Sequence, residues 1–197
     1  MGKSEETRQH IIKKAAPIFN MHGYQGTSMS QLTKAINMTK GAIYGNFKDK
    51  DEIALAAFDY NISKILEKIE RVVDLKKNAN DQLIALATFY LDGFSEISKH
   101  GGCPVLNAAV DSDFVHPRLK ERVAQAIEAW TDYVTRIVEY GIKEKQINQN
   151  TKSEQFSSIF VSLVEGGIML SRATGSIIHL SRSIDHIIYL INTDLRI

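Results

Sequence analysis

With 197 residues, 44% of them hydrophobic and 24% charged, the chain is long enough to bury a sizeable core and too apolar to remain disordered. Three prolines, twelve glycines and no internal repeat exclude a low-complexity or solenoid architecture, and the single cysteine, Cys103, excludes an internal disulfide and suits a reducing cytoplasm. Net charge is only +1, but residues 1–50 hold eight Lys or Arg against three acids, a local +5 that leaves −4 on residues 51–197 and points to a small polyanion-binding head on a body of different purpose.

The opening "MGKSEETRQH" lacks the apolar stretch of a secretory signal, and no apolar run approaches the roughly 18 residues of a membrane span. Both features predict a cytoplasmic protein without membrane contact. Helical periodicity dominates from there on. A first helix is expected from about Ser4 to Met21, capped by Ser4, with Glu5 and Glu6 at the positive end of its dipole and Ile11, Ile12, Ala15 and Phe19 as its buried stripe. Pro17 is expected to kink it or to force a late start. A short second helix begins at Ser28, whose partner Gln31 makes a capping box. Thr39 opens a third helix of under ten residues. Asp49, with Glu52, caps a fourth that runs from Lys50 to about Leu75. Further helices are predicted over about 79–99, after Pro104, and over about 116–145, 152–173 and 178–195. The fold class is all-α, with about nine helices. Residues 1–48 are expected to form the head and 49–197 the body.

Two short helices joined by a tight turn, "SMSQLTKAI–NM–TKGAIYGNF", describe a helix-turn-helix inside the basic head. Asn37 tolerates the left-handed backbone that the turn needs, and Met38 plugs the angle. Ile43 and Phe47, four apart, face inward beside Leu32 and Phe19. Thr39, Lys40, Ala42, Tyr44, Gly45 and Asn46 are left for solvent or a ligand. Thr39 stands where a hydroxyl and a helix N-terminus can both address a phosphate. Gly41 and Ala42 are small enough for the helix to enter a major groove, and Lys50 adds charge at the start of the fourth helix.

The stretch "GYQGTSMSQLTKAINMTKGAIYGNFKDKDEI" resembles the signature of TetR/AcrR-type bacterial transcription regulators across residues 8–55. Residue by residue, the resemblance implies phosphate contacts for Ser28, Thr39, Tyr44 and Lys50, and places Lys40, Gly41 and Ala42 nearest the bases of a double-stranded operator. Three positions depart from the pattern: Asn37 for the usual turn glycine, Gly45 for a His or Trp, and Thr33 for an alanine.

The same resemblance implies a homodimer on a palindromic operator, joined through the last two helices, and a small-molecule inducer in the body that relieves repression. Candidate dimer residues are Phe156, Phe160, Leu163, Gly166, Gly167, Ile184, Ile187, Ile188 and Ile191, with the glycine pair admitting a close second helix. Candidate ligand-pocket residues are Phe89, Tyr90, Phe94, Asn107, Phe114, Trp130, Tyr133 and Met169, aromatics with a lone amide suiting an apolar pocket with few orienting groups. Cys103, ahead of Pro104, is expected at a helix N-cap, where a thiol either senses electrophiles or oxidants or simply packs. His116 with Asp113, and Asp185 with His186, lack further ligands at metal spacing, so neither a metal nor a cofactor is expected. No catalytic constellation is visible, which argues against an enzyme. The alternative from another class is an all-α small-molecule-binding protein that does not bind DNA.

Overall fold

The computed structural model describes residues 2–112 and 116–197. Ten helical segments are present among the described residues: α1 Lys3–Gly26, α2 Met29–Ile36, α3 Lys40–Tyr44, α4 Lys50–Val73, α5 Ala79–Asp92, α6 Phe94–Lys99, α7 Pro104–Ser112, α8 Pro117–Lys143, α9 Ser153–Thr174 and α10 Ile178–Thr193. The helix expected over 79–99 is divided at Gly93 into α5 and α6, whose combination leaves the expected nine. The chain clusters into two compact units, Met1–Ile65 with His100–Ala124, and Leu66–Lys99 with Gln125–Ile197.

In the first unit α1 continues through Pro17 with helical geometry and breaks instead at Gly23, where φ is 72° and ψ is 175°. Position 23 needs glycine twice over. Its φ is left-handed, and a Cβ there would lie 2.9 Å from Asp111 Oδ1. Ile11, Ile12, Ala15, Ala16 and Phe19 of α1 meet Leu32 and Ile36 of α2, Ile43 of α3, Phe47, and Ile53, Ala54 and Ala57 of α4 in one apolar cluster. At eight and five residues α2 and α3 are too short to hold their shape alone, so this shared core is what makes them helices.

In the second unit α10 packs against α9 and α5. Ser171 Oγ accepts the Leu180 N–H at 2.8 Å, which satisfies one open donor in the first turn of α10. Gly167 lets the two helices close up, since a Cβ there would stand 3.0 Å from Leu180 Cα. By length and composition α9 is apolar enough to cross a bilayer. Its Phe160, Val161, Val164 and Ile168 are nevertheless buried within the chain, as in the core helix of a bundle.

Candidate nucleic-acid interface and ligand site

The helix-turn-helix is built from capping contacts outward. The Gln31 N–H donates to Ser28 Oγ at 3.2 Å and the Ser28 N–H donates to Gln31 Oε1 at 2.7 Å, the reciprocal box that starts α2. Asn37 ends α2 in the left-handed region, φ 59° and ψ 45°. Thr39 then caps α3, its Oγ1 accepting the Ala42 N–H at 3.2 Å. Ile43 and Phe47 are buried in the cluster and Met38 packs against it. Anchored from beneath in this way, α3 turns Thr39, Lys40, Gly41, Ala42, Tyr44 and Gly45 to solvent. Tyr44 is 37% exposed. Between α2 and α3 lies a shallow concavity of about 500 Å³ lined by Met38 and by Ser30, Thr33, Lys34, Asn37, Thr39 and Lys40, the last six of donor or cationic character.

Two predicted contact residues are less open. Asn46 is half-buried; its Nδ2 donates to Ala42 O at 2.9 Å, closing the end of α3, while its carbonyl accepts Arg8 Nη1 at 2.7 Å. Lys50 is also half-buried, with Nζ 4.2 Å from the centre of the Tyr24 ring. Burial lowers its pKa, and the nearby carboxylates Asp51 and Asp111 oppose that shift.

Arg8 is a residue that the sequence pattern left out. Its guanidinium lies 4.0 Å from the Phe47 ring centre and donates to Glu52 Oε1 at 2.8 Å. Glu52 Oε2 accepts the Lys48 N–H at 2.8 Å, and the Glu52 N–H donates to Asp49 Oδ1 at 2.8 Å. The expected Asp49–Glu52 cap is therefore present in one direction, with Glu52 answering to Lys48 rather than Asp49. The Lys48 N–H and then Arg8 hold the Glu52 carboxyl below its ordinary range. A depressed folded-state pKa contributes stability above the unfolded value of about 4.5 that is lost as pH falls through the folded one. Glu52→Gln is expected to flatten the acid limb of the melting temperature profile below about pH 4.5; an acid limb identical to that of the parent would show that Glu52 plays no such part.

Tyr24 follows Gly23 at the start of the signature stretch. Here its Oη donates to Asp51 Oδ1, its backbone N–H to Asp111 Oδ2, and its ring meets the His116 ring edge-on at 4.5 Å. Burial first, then Asp51, push its phenol up to about 12, so it stays a donor at neutral pH.

The predicted ligand residues divide between the units. Asn107 and Cys103 belong to the first. The Asn107 amide donates to Asn20 O, Asn20 Oδ1 and Gly101 O at 3.1, 3.2 and 2.8 Å, so it is occupied in tying α7 to α1. Cys103 precedes α7 as expected and is 6% exposed, which gives an electrophile little access to the thiol. In the second unit Tyr90 is buried between Phe89, edge-on at 5.2 Å, and Trp130, tilted at 5.3 Å. Trp130 Nε1 is buried and has no hydrogen-bond partner among the described residues. Burial, with Asp74 and Glu70 nearby, raises the Tyr133 phenol above its ordinary value. Phe94 is half-buried and Met169 is exposed. Phe114 and Asp113 lie outside the described residues. An open groove of about 770 Å³ runs beside the end of α4 and along α5, lined by Val72, Leu75, Ile84, Thr88, Phe89 and Asp92 among others. Among the described residues no cluster of three or more His, Cys, Asp or Glu is placed to hold a metal.

The dimer candidates need correcting. Phe156, Phe160, Gly167, Ile184, Ile187 and Ile191 are buried inside the single chain, where α9, α10 and α5 use the apolar stripe for one another. Only Leu163, Gly166 and Ile188 keep surface. The exposed apolar side chains of α9 and α10 are Ile159, Met169, Leu170, Ile178 and Tyr189, with Ile177 just before α10. A Cβ on Gly166 would meet nothing within 4 Å among the described residues. Of the glycine pair, one half serves the packing of the monomer and the other faces open space.

A basic helical head that exposes a short, well-anchored helix after a tight turn, on an all-helical body, is the build of a DNA-binding transcriptional regulator. The comparisons agree. The family described as "Bacterial regulatory proteins, tetR family" matches residues 11–57, and "Tetracyclin repressor-like, C-terminal domain" matches residues 79–187. A TetR-family transcriptional regulator from Cytophaga hutchinsonii superposes with a TM-score of 0.95 at 34% identity, over 100% of this chain and 98% of that one. The HTH-type transcriptional regulator YxaF of Bacillus subtilis is 25% identical over 87% of each chain. The TetR family transcriptional regulator CifR, solved with a 26-bp double-strand operator DNA, shares the fold with a TM-score of 0.81 at 15% identity, over 92% of this chain and 94% of that one. The chain belongs to the TetR family and is a DNA-binding transcriptional regulator.

Proposed function

We propose that this regulator is a repressor that binds a palindromic operator as a homodimer and is released by a small molecule held in its body. The observation that carries the reading is the exposed surface of α3 on its buried Ile43 and Phe47 anchors. Thr39 offers its hydroxyl to a phosphate at the N-terminus of α3, Ser28 would turn toward a phosphate the proton that it donates to Gln31 Oε1 at 2.9 Å, Tyr44 offers its phenol, and Lys50 supplies charge. Lys40, Gly41 and Ala42 face the bases, with Gly45 and Asn46 at the trailing edge. So short a helix reads few base pairs, and a two-fold pair of heads doubles the site. DNA binding is assigned to residues 1–48 together with Lys50 at the start of α4, ligand binding and dimerisation to the rest of 49–197.

The dimer face comprises Ile159, Leu163, Gly166 and Leu170 of α9 with Ile178, Ile188 and Tyr189 of α10. The inducer occupies the region of Phe89, Tyr90, Trp130 and Tyr133, where aromatic surface accompanies two orienting donors, Trp130 Nε1 and the Tyr133 phenol. Its binding shifts the population toward heads that no longer fit successive grooves. The protein acts in the cytoplasm and has no catalytic role.

Selecting genomic fragments with the pure protein tests the reading. Recovery of a common inverted repeat is expected; recovery of fragments that share no sequence would overturn it.

A further inference from the structure

We propose that Asp111 of α7 is a positioning residue for operator binding: it seats the α1–α2 turn and, through Tyr24, the ammonium of Lys50. The inference rests on the DNA-binding reading above but concerns a part of the chain far from α3.

The geometry is continuous. Asp111 Oδ2 accepts the Tyr24 N–H, and Oδ1 occupies the space that a Cβ on Gly23 would fill, 2.9 Å from it. One turn earlier on the same face of α7, Asn107 donates to the Asn20 carbonyl and side-chain oxygen, while Asn20 Nδ2 returns hydrogen bonds to the carbonyls of His100 and Gly102 at 2.6 and 3.1 Å. The polar face of α7 thus takes up the end of α1 where that helix leaves its own hydrogen-bond ladder.

Two routes lead from this seat to the DNA-facing surface. In one, the buried Thr27 donates Oγ1 to Gly23 O at 2.6 Å, immediately before Ser28 starts the capping box of α2. In the other, Tyr24 carries Lys50 Nζ over its ring and bonds Asp51 in the first turn of α4. A small cavity of about 30 Å³, bordered by Gly23, Tyr24, Asn107 and Asp111, adjoins this seat and has room for about one water. A carboxylate beside phosphate-binding lysines would weaken DNA binding if charge alone counted. Its fit to Gly23 and the Tyr24 amide marks its contribution as geometric.

The experiment measures operator affinity across a salt series for the wild type, Asp111→Ala, Asp111→Asn, Lys50→Ala and the Asp111→Ala/Lys50→Ala pair. Asp111→Ala is expected to weaken binding at least about tenfold and to lower the salt slope by about 1, because the Lys50 contact is lost. Asp111→Asn keeps an acceptor for Tyr24 and is expected to stay within about threefold of wild type. Lys50→Ala should cost less in the Asp111→Ala background than alone. A loss of stability with no change of positioning would leave the slope and this coupling unmoved. Wild-type affinity and slope in Asp111→Ala, or an Asn variant as weak as the Ala variant, would overturn the inference. If Asp111→Ala does not fold, hydrogen exchange at the Tyr24 amide in Asp111→Asn decides: protection together with wild-type binding supports it, and loss of either refutes it. A wild type that binds no operator would instead defeat the reading on which the inference rests.

Discussion

Phe47→Ala is expected to destabilise the head by about 3–5 kcal/mol, enough to consume much of the margin of a typical domain. Phe47 is 2% exposed and closes the core from the far side of α3. Its loss opens a cavity beneath the recognition helix and removes the ring on which Arg8 lies at 4.0 Å. Arg8 would then lose its register with Asn46 O and Glu52, so the end of α3 and the start of α4 loosen together. The chain has one tryptophan, Trp130, in the second unit, and its fluorescence can be read beside far-UV circular dichroism. In the variant, part of the helical signal should melt before Trp130 responds, and operator binding should vanish with that early phase. Coincident transitions at the wild-type midpoint would show that Phe47 does not anchor the head.

The second large effect is expected on the dimer. Ile159 and Leu170 stand three turns apart on α9, 40% and 45% exposed, with Leu163 and the open Gly166 between them. Changing both to Glu places like charges on the face that the proposed two-fold dimer brings against its own copy. Sedimentation should find monomers of unchanged helicity, because neither side chain belongs to the monomer core. Operator affinity should drop on the order of 100-fold, since each head then binds its half-site alone. A variant that stays dimeric would place the interface elsewhere.

The helical frame is legible in the sequence because local chemistry carries it. Ser28 with Gln31, Asn37 at the turn, Thr39 at the cap and the apolar 3–4 spacing of the long segments each act within a turn or two. The ends of α8, α9 and α10 accordingly fall within two residues of those expected. Pro17 misleads, since its ring strains only one carbonyl and the surrounding core keeps α1 in helical geometry until Gly23. Periodicity also finds the apolar stripe of α9 and α10 without saying what covers it. Phe160 and Ile187 are claimed by the chain itself, which leaves the proposed dimer the residues one or two places along. Asn107 looks like an orienting amide for a ligand until its partner Asn20, 87 positions away, is seen. The same separation hides Asp111 from any local reading of Tyr24. The exposed face of α3, the proposed recognition surface, is legible and its supports are not, because helices signal nearby and tertiary seats do not.

The salt dependence of binding to the selected palindrome tests the central claim most directly. Phosphate contacts by both heads release counterions, so log affinity should fall linearly with log salt at a slope of about −5 to −9, with a scrambled duplex bound far more weakly at every salt. A slope near zero, or equal affinity for the scrambled duplex, would contradict the account.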